Sequence, residues 1–241
     1  MKALNASDER VREAPPVDRK TALEQTLKKR ILSMEIAPGA ILDEVALSDE
    51  FGMSRPPVRE LIRQMAAEGY IELEANRAPR VSSMSHETLR SYFLAAPLIY
   101  AATTKLAAMI ATPSEIQGLR RIQARFRQAV DEKDVDGRVF YNDLFHRQIG
   151  VVAKNPHLFP SLCRLLIDHA RQAKTFYGLS NDATMQADLE EAVQQHDDII
   201  DAIERRDPET AEQIVRSHID LARRRMAMYT APEGVEVQIE I

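Results

Sequence analysis

Long helical patterns in the C-terminal two thirds of the chain constrain its fold more than any other feature. From His86 onward, apolar residues recur at helical spacing with almost no strand signal. Proline suits the first turn of a helix, and three such helix starts divide this region, at Thr112-Pro113, Asn155-Pro156 and Asp207-Pro208. The pattern predicts six helices, at 86–111, 114–131, 136–153, 156–178, 184–205 and 208–229. We therefore expect an antiparallel α-helical bundle whose first helix is interrupted and kinked at Pro97.

A short stretch in the N-terminal third, residues 54–65, carries an apolar ridge beside a row of arginines. Its sequence is SRPPVRELIRQM, and the apolar residues at i, i+3, i+4 and i+7 are Val58, Leu61, Ile62 and Met65. Arg55, Arg59 and Arg63 repeat every four residues on a neighbouring face. Three arginines on a helix surface more often form only a solvated face. The neighbouring segments of the sequence therefore have to distinguish a solvated face from a DNA-binding face.

Two helical segments precede this stretch. Residues 20–36 have helical apolar spacing and end at Pro38-Gly39, and residues 46–51 form a short helix closed by Gly52. Ser54 stands at the N-cap of the next helix, whose first turn contains two prolines that cost few hydrogen bonds there.

A β-hairpin is predicted after Gly69. Residues 70–74 alternate apolar and charged side chains, residues 79–81 form a second short strand, and Arg77 lies at the turn between them. Helix, glycine turn, amphipathic helix and hairpin make a winged helix-turn-helix, whose second helix enters the DNA major groove with its N-terminal residues leading.

Composition and charge narrow the class of protein. A chain of 241 residues suits two domains, and its net charge of −5 argues against a nonspecific polycationic coat for nucleic acid. Residues 54–64 nevertheless carry three arginines against Glu60, a local charge of 3 − 1 = +2. No signal peptide is apparent, and no apolar run approaches the roughly 20 residues of a membrane helix. The single Cys163 excludes an intrachain disulfide and is compatible with a cytoplasmic location.

The motifs of the N-terminal third resemble the GntR family of bacterial transcription regulators. SRPPVRELIRQMAAEGYIE is a specific match within a resemblance that covers roughly residues 20–82. The resemblance implies that Arg55 and Arg59 contact operator DNA, with Ser54 at the helix cap. The candidate DNA-binding residues are Ser54, Arg55, Pro56, Arg59, Arg63 and Arg77.

Three departures from the family pattern concern the DNA contact. Pro56 stands where a hydroxyl residue is common, and Val45 stands where the short helix often offers another arginine. The wing reads NRAPRV where NRGxxV is usual, so Ala78 and Pro79 stiffen its tip. These changes bear on the operator sequence more than on DNA binding itself.

Three histidines and an asparagine form a possible metal-binding set. Asn142 and His146 are four residues apart and therefore share a helix face. His196 and His218 lie 11 residues before and after Asp207, so an antiparallel hairpin places each about 16 Å from the bend and level with the other. The spacing thus allows all four side chains to converge inside the bundle.

A second resemblance gives this set a role. NDLFHRQI, followed by QHDDIIDAIERRDPETAEQIVRSHI, resembles the FCD ligand-sensing domain of the FadR subgroup. The resemblance implies that Asn142, His146, His196 and His218 bind a divalent metal, Zn or Ni, at the floor of an effector cavity. Asn142 replaces the usual Asp, which leaves the metal charge uncompensated and favours a small anionic or carboxylate effector.

The resemblance also implies a domain organisation and an assembly. A mobile leader (1–18), the winged domain (19–82), an all-helical effector-binding and dimerisation domain (83–230) and a tail (231–241) are expected. The protein is then a cytoplasmic homodimeric repressor of a palindromic operator, with no membrane partner. Tyr100 stands near positions where the family carries an arginine and a glutamate, and Arg171 is a candidate clamp for the acid, so both are candidate effector contacts.

Two alternatives remain open at the histidine site. Three histidines with open coordination positions can also activate water in a metal-dependent enzyme, although no general base or Gly-rich phosphate loop accompanies them. A structural metal that only holds the bundle together is the other alternative. His86, His157 and the 223–225 arginines are interpreted as surface residues, and His169 has no evident partner.

Overall fold

The computed structural model describes residues 18–179 and 183–230; the predicted tail and all but the last residue of the predicted leader lie outside these ranges. The described chain is mainly helical with one two-stranded antiparallel sheet, as predicted. Its elements are α1 Arg19–Leu32, α2 Glu44–Phe51, α3 Arg55–Glu68, β1 Ile71–Glu72, β2 Arg80–Val81, α4 His86–Ile110, α5 Pro113–Asp131, α6 Val135–Val152, α7 Leu158–Leu179, α8 Ala183–Glu204 and α9 Pro208–Thr230.

Helices α1, α2 and α3 enclose the core of the N-terminal domain. The predicted apolar ridge of α3 is buried, with no member more than 2% exposed: Val58, Leu61, Ile62 and Met65. It packs with Leu23, Leu27 and Ile31, the buried side chains of α1. Helix α2 starts two residues before its predicted start because the Asp43 carboxylate accepts from the amides of Val45 and Ala46.

The first helix is shorter than predicted. Helix α1 ends at Leu32, four residues early, and Met34 adopts a left-handed φ of 60°. The Ile36 amide then donates to the Arg30 carbonyl over 3.0 Å, so the chain has left the helix before Pro38-Gly39. Apolar spacing could not reveal this end, because Met34 continues the helical period although it lies beyond the helix.

The wing is present, with strands shorter than predicted. Ile71 pairs with Val81 and Glu72 pairs with Arg80. Asn76 takes a left-handed φ of 61° in the turn, a conformation that asparagine tolerates. Only two residues separate α3 from β1, and β1 packs against that helix.

The bundle helices start close to the proline-containing pairs. Thr112 and Glu115 form a reciprocal capping box at the start of α5. The Asn155 side chain accepts from the amides of His157 and Leu158, so α7 begins two residues after its predicted start. The Asp207 side chain accepts from the Thr210 amide over 3.0 Å at the start of α9, which fixes the α8–α9 turn.

Helix α4 is one continuous helix of 25 residues through Pro97, so the predicted interruption is wrong. It is also the one described helix long and apolar enough to cross a membrane by length and composition, with a mean hydropathy of 1.5. Helices α6, α7, α8 and α9 all contact α4. Its buried side chains, including Tyr92, Ala96 and Tyr100, belong to the main apolar cluster of the bundle, and we interpret α4 as a core helix.

Candidate DNA-reading surface and candidate metal centre

Helix α3 presents its arginine row to solvent beside its buried ridge. Arg55, Arg59 and Arg63 are all exposed. Gly52 ends α2 with a left-handed φ of 58°, and only Met53 and Ser54 separate it from α3. This turn leaves the N-terminal end of α3 at the protein surface, as a helix that enters a DNA groove requires.

Ser54 occupies the predicted N-cap position, but its side chain makes no capping hydrogen bond. An N-cap oxygen normally accepts from the second or third amide of the helix. In α3 those positions are Pro56 and Pro57, which have no amide hydrogen to donate. The exposed Ser54 hydroxyl is therefore not used in capping, and it lies beside Arg55 at the tip of the helix.

Two of the arginines at this surface pair with carboxylates. Arg59 Nε lies 2.6 Å from Glu44 Oε2, and Arg77 pairs with Glu74 in the wing turn. Both arginine side chains are more than half exposed, and exposed pairs of this kind contribute only about 0–1 kcal/mol. A DNA phosphate can therefore replace either carboxylate at small cost.

Three of the four candidate metal ligands meet inside the bundle. His146 of α6, His196 of α8 and His218 of α9 are all at most 5% exposed. His218 Nε2 lies 3.2 Å from His146 Nε2 and 3.3 Å from His196 Nε2. The two histidines that the sequence places at equal distances from the α8–α9 turn are thus in contact. One ligand atom from each of the three histidines falls within 4.8 Å of the others.

Asn142 lies next to this cluster, one turn before His146, and is 2% exposed. Its Nδ2 is 3.2 Å from His169 Nε2, so the amide group is engaged with a fourth histidine. His169 Nδ1 lies 2.8 Å from the Tyr100 hydroxyl. Asn142 therefore links the cluster to a buried polar pair that joins α7 to α4.

His169 is the site residue that the sequence reasoning missed. It lies on the face of α7 that also carries Leu162, Leu166 and Ala173, all of them buried. A histidine in the apolar stripe of an amphipathic helix was the available signal, because such a residue needs a buried hydrogen-bonding partner. Its partners come from α4 and α6, which no spacing within α7 could identify.

Burial keeps the four histidines neutral. Removal from water lowers the pKa of His169 to about 4. It also lowers the pKa of His218 to about 3, and the neighbouring His169 adds to that shift. The same desolvation, with the other imidazoles adding to it, holds the pKa values of His146 and His196 well below 6.5. Neutral imidazole is the form that binds a metal ion.

A pocket that is partly open to solvent adjoins the cluster. Its polar lining residues are Asn142, His169, Gln172, Asp188 and His218. Gln172 Nε2 is buried without a hydrogen-bond partner. The rest of its lining comes mainly from apolar side chains of α8 and α9: Met185, Leu189, Ala192, Leu221 and Ala222.

The two candidate effector contacts lie elsewhere. Arg171 is 1% exposed, donates from Nη1 to the Ser82 carbonyl over 2.7 Å and pairs with Asp168. Its charge is thus directed at the segment that follows the wing. Tyr100 is buried; its hydroxyl contacts His169, which lines the cavity, and its ring packs edge-on against His146. His86 and His157 are exposed, as expected.

A winged helix-turn-helix joined to a helical bundle with a histidine-lined cavity defines a DNA-binding transcription regulator with an attached helical domain. Residues 19–81 match the family described as bacterial regulatory proteins, gntR family, and residues 98–221 match the FCD domain. The chain therefore belongs to the GntR family of transcription regulators, in the group that carries an FCD domain. This family assignment confirms the predicted regulator and rules out the metal-dependent enzyme.

Individual relatives agree with the family. The transcriptional repressor RspR of Escherichia coli K12 is 27% identical over 80% of this chain and 82% of its own length. The probable D-xylose utilization operon repressor of Paenarthrobacter nicotinovorans is 28% identical over 77% of this chain and 81% of its own length. The structure of E. coli McbR/YncC has the same fold, with a TM-score of 0.72 at 20% identity, covering 88% of this chain and 97% of that one.

Proposed function

We propose that this protein is a cytoplasmic repressor that releases or engages operator DNA in response to a small anionic metabolite, sensed through a divalent metal in the FCD domain. The observation that carries the proposal is the buried cluster of His146, His196 and His218 beside a cavity that opens to solvent. Relatives named as repressors support the direction of regulation.

The DNA contacts are proposed at the exposed end of α3. Arg55 and Arg59 point away from the buried ridge and would reach base edges or phosphates in the major groove. Ser54, with its uncapped hydroxyl, and Pro56 form the leading tip, while Arg63 and Arg77 would contact the backbone on either side.

The residues around the cluster fit a metal ion. One ligand atom from each of three buried histidines lies within 4.8 Å of the others, and burial keeps these imidazoles in the neutral form that binds a metal ion. His146, His196 and His218 would hold Zn or Ni, and the oxygen of Asn142, one turn before His146 on α6, is the candidate for a fourth ligand. When bound, such a metal supplies a Lewis-acidic positive centre to which an anionic group of the effector can add.

The lining of the cavity would select the rest of the effector molecule, beyond its anionic group. Gln172 Nε2 is an unpaired buried donor, and His169 is a second polar group on the same wall. The lining from α8 and α9 is mainly apolar, with Asp188 as the one carboxylate among its described residues. A small carboxylic acid with one further hydrogen-bond acceptor and an apolar part matches this lining.

A panel of small carboxylic acids tests the proposed sensor. At least one acid should raise the melting temperature of the Zn- or Ni-loaded protein and leave the metal-free protein unchanged, because its carboxylate needs the metal. The carboxamide of the same acid is the control and should have no effect in either form. Equal stabilisation with and without metal would contradict metal-dependent sensing.

Helix α7 is the proposed connection between cavity and DNA-binding domain. His169 faces the cavity, whereas Ile167 packs into the apolar core of the winged domain. Arg171 donates to the Ser82 carbonyl directly after β2, and Thr175 donates to Met34 Sδ after α1. A shift of α7 on effector binding would therefore move contacts to both ends of the winged domain.

Replacing Arg171 by methionine should uncouple the two domains. The side-chain volume is largely kept, but the hydrogen bond to Ser82 is lost. Allosteric coupling is typically about 5–150-fold, and we expect the effector-induced change in operator affinity to fall to about threefold or less in this variant. Operator titrations with and without the acid measure it.

The matched control is Lys174→Met on the same helix, where the lysine pairs with Asp136 inside the bundle domain. It should keep the full response. An Arg171→Met protein that binds the acid and responds as fully as wild type would refute the role of this contact.

A homodimer on a palindromic operator completes the proposal. Leu94 and Leu98 are 55% and 61% exposed and lie one turn apart on α4. The two side chains form an apolar strip on the bundle surface. Two copies joined along such a strip would present two winged domains by twofold symmetry. A single-chain mass in sedimentation equilibrium would contradict the dimer.

A further inference from the structure

Two glutamines contact the outer nitrogens of the histidine cluster. Gln123 of α5 is 2% exposed, and its Oε1 lies 3.0 Å from His196 Nδ1. Gln195 of α8 is half-buried, and its Oε1 lies 3.0 Å from His218 Nδ1. Both contacts are on the side of the imidazole ring that faces away from the cluster.

The orientation of each amide is fixed by its other end. Gln123 Nε2 donates to the Val193 carbonyl over 2.8 Å, and Gln195 Nε2 donates to the Glu191 carboxylate over 2.9 Å. A carbonyl and a carboxylate can only accept, so the amide nitrogens face them and the amide oxygens face the histidines. An amide oxygen cannot donate either, and the hydrogen in each contact therefore belongs to histidine Nδ1.

A neutral imidazole carries a single ring hydrogen. With that hydrogen on Nδ1, the Nε2 atoms of His196 and His218 have bare lone pairs, and these atoms face each other at 3.3 Å. Two buried lone pairs at this distance repel each other, and a cation that lies against both of them removes the repulsion. His146 differs, because its Nδ1 is buried without a hydrogen-bond partner and its ring hydrogen is not fixed.

We propose that Gln123 and Gln195 are positioning residues that hold His196 and His218 in the Nδ1–H tautomer, with Nε2 ready for a metal ion. This inference rests on the proposed metal site and goes beyond it in assigning how the ligands are oriented. Outer partners of this kind usually affect metal affinity about 10–100-fold. The two amides are neutral, so they orient the imidazoles without adding negative charge of their own.

Nuclear magnetic resonance of the metal-free, ¹⁵N-labelled full-length protein tests the tautomers directly. Long-range ¹H–¹⁵N correlations should show His196 and His218 protonated on Nδ1, with each ring assigned from its single histidine variant. Gln123→Met should move His196 alone away from that pattern. The separate variant Gln123→Glu keeps an acceptor at the same place, and His196 should keep its Nδ1–H form in it.

Metal affinity gives the second readout, with Co²⁺ as the probe because its absorption reports coordination. Gln123→Met should weaken Co²⁺ binding about 10–100-fold, and Gln123→Glu should bind at least as tightly as wild type. Gln128→Met is the matched control, because Gln128 is an exposed glutamine on the same helix that bonds Glu132. It should change neither the tautomers nor the affinity.

The outcomes separate this inference from the proposed function. If Co²⁺ binds but His196 is protonated on Nε2 in the metal-free protein, or if Gln123→Met leaves the affinity unchanged, the positioning role is refuted while the metal site stands. If no Co²⁺ binds to the wild-type protein, the metal site and the inference fail together.

Discussion

Replacing Arg55 and Arg59 together by alanine is expected to weaken binding to the operator about 10²- to 10⁴-fold, since each arginine that contacts a base edge contributes roughly 1–3 kcal/mol. Both residues lie on the exposed face of α3, one turn apart, at the end that leads into the groove. The Arg59 change also leaves Glu44 without its partner beside the DNA, which adds repulsion from the phosphates.

Fluorescence anisotropy with DNA from the protein's own promoter, repeated over a range of salt concentrations, measures this effect. Each arginine that neutralises a phosphate contributes about −0.9 to the slope of log affinity against log salt, so an arginine that binds phosphate also flattens the slope when it is removed. Weaker binding with an unchanged slope would assign the two arginines to the bases.

The matched control is Arg121→Ala with Arg125→Ala. These arginines are also exposed and four residues apart, but they lie on α5 of the bundle. The net charge changes by the same amount, and operator affinity should remain within about twofold, because long-range charge effects are screened by salt. Equal affinities for the wild type and the Arg55/Arg59 variant would refute the assignment of α3 as the reading helix.

Addition of Zn²⁺ or Ni²⁺ to the metal-free protein is expected to produce the second large effect. Ligand at about 1,000 times its dissociation constant stabilises the folded state by about 4 kcal/mol. For a chain of this length, each kcal/mol raises the melting temperature by about 2–4 °C, so a rise of about 8–16 °C is expected. A chelator should reverse it.

His146→Ala should remove most of this rise, because it leaves two imidazoles where three converge. The shift on metal addition is compared within each variant, so any loss of stability from the substitution itself cancels. His157→Ala is the control, since His157 is exposed and is not one of the three clustered histidines, and it should keep the full shift. An undiminished shift in His146→Ala would place the metal elsewhere.

The same variant separates a sensory metal from a purely structural one. If the metal only holds α6, α8 and α9 together, His146→Ala lowers thermal stability but leaves the operator response to the acid intact. If the metal is part of the effector site, the response is lost even at a temperature where the variant is fully folded. Operator titrations with the acid at low temperature decide between them.

Local sequence determined the helices and much of the winged domain. Period 3.6 identified the buried ridge of α3 and the six bundle helices, and side-chain caps at Thr112, Asn155 and Asp207 marked where helices begin. Equal spacing about the α8–α9 turn was enough to predict that His196 and His218 lie level with each other. These features depend on residues close together in the chain, whose geometry the helix itself sets.

Tertiary structure decided the contacts between helices. His196 and Gln123 are 73 residues apart, and Tyr100 and His169 are 69 residues apart, so no periodicity within one helix relates them. From the sequence, Arg171 is a cation whose partner is not determined. The packing of α7 against the winged domain directs its side chain to the Ser82 carbonyl. The sequence by itself therefore determined which faces are buried and which histidines are level. Packing alone decided which buried polar groups meet, because burial obliges each of them to find a partner wherever the fold brings one.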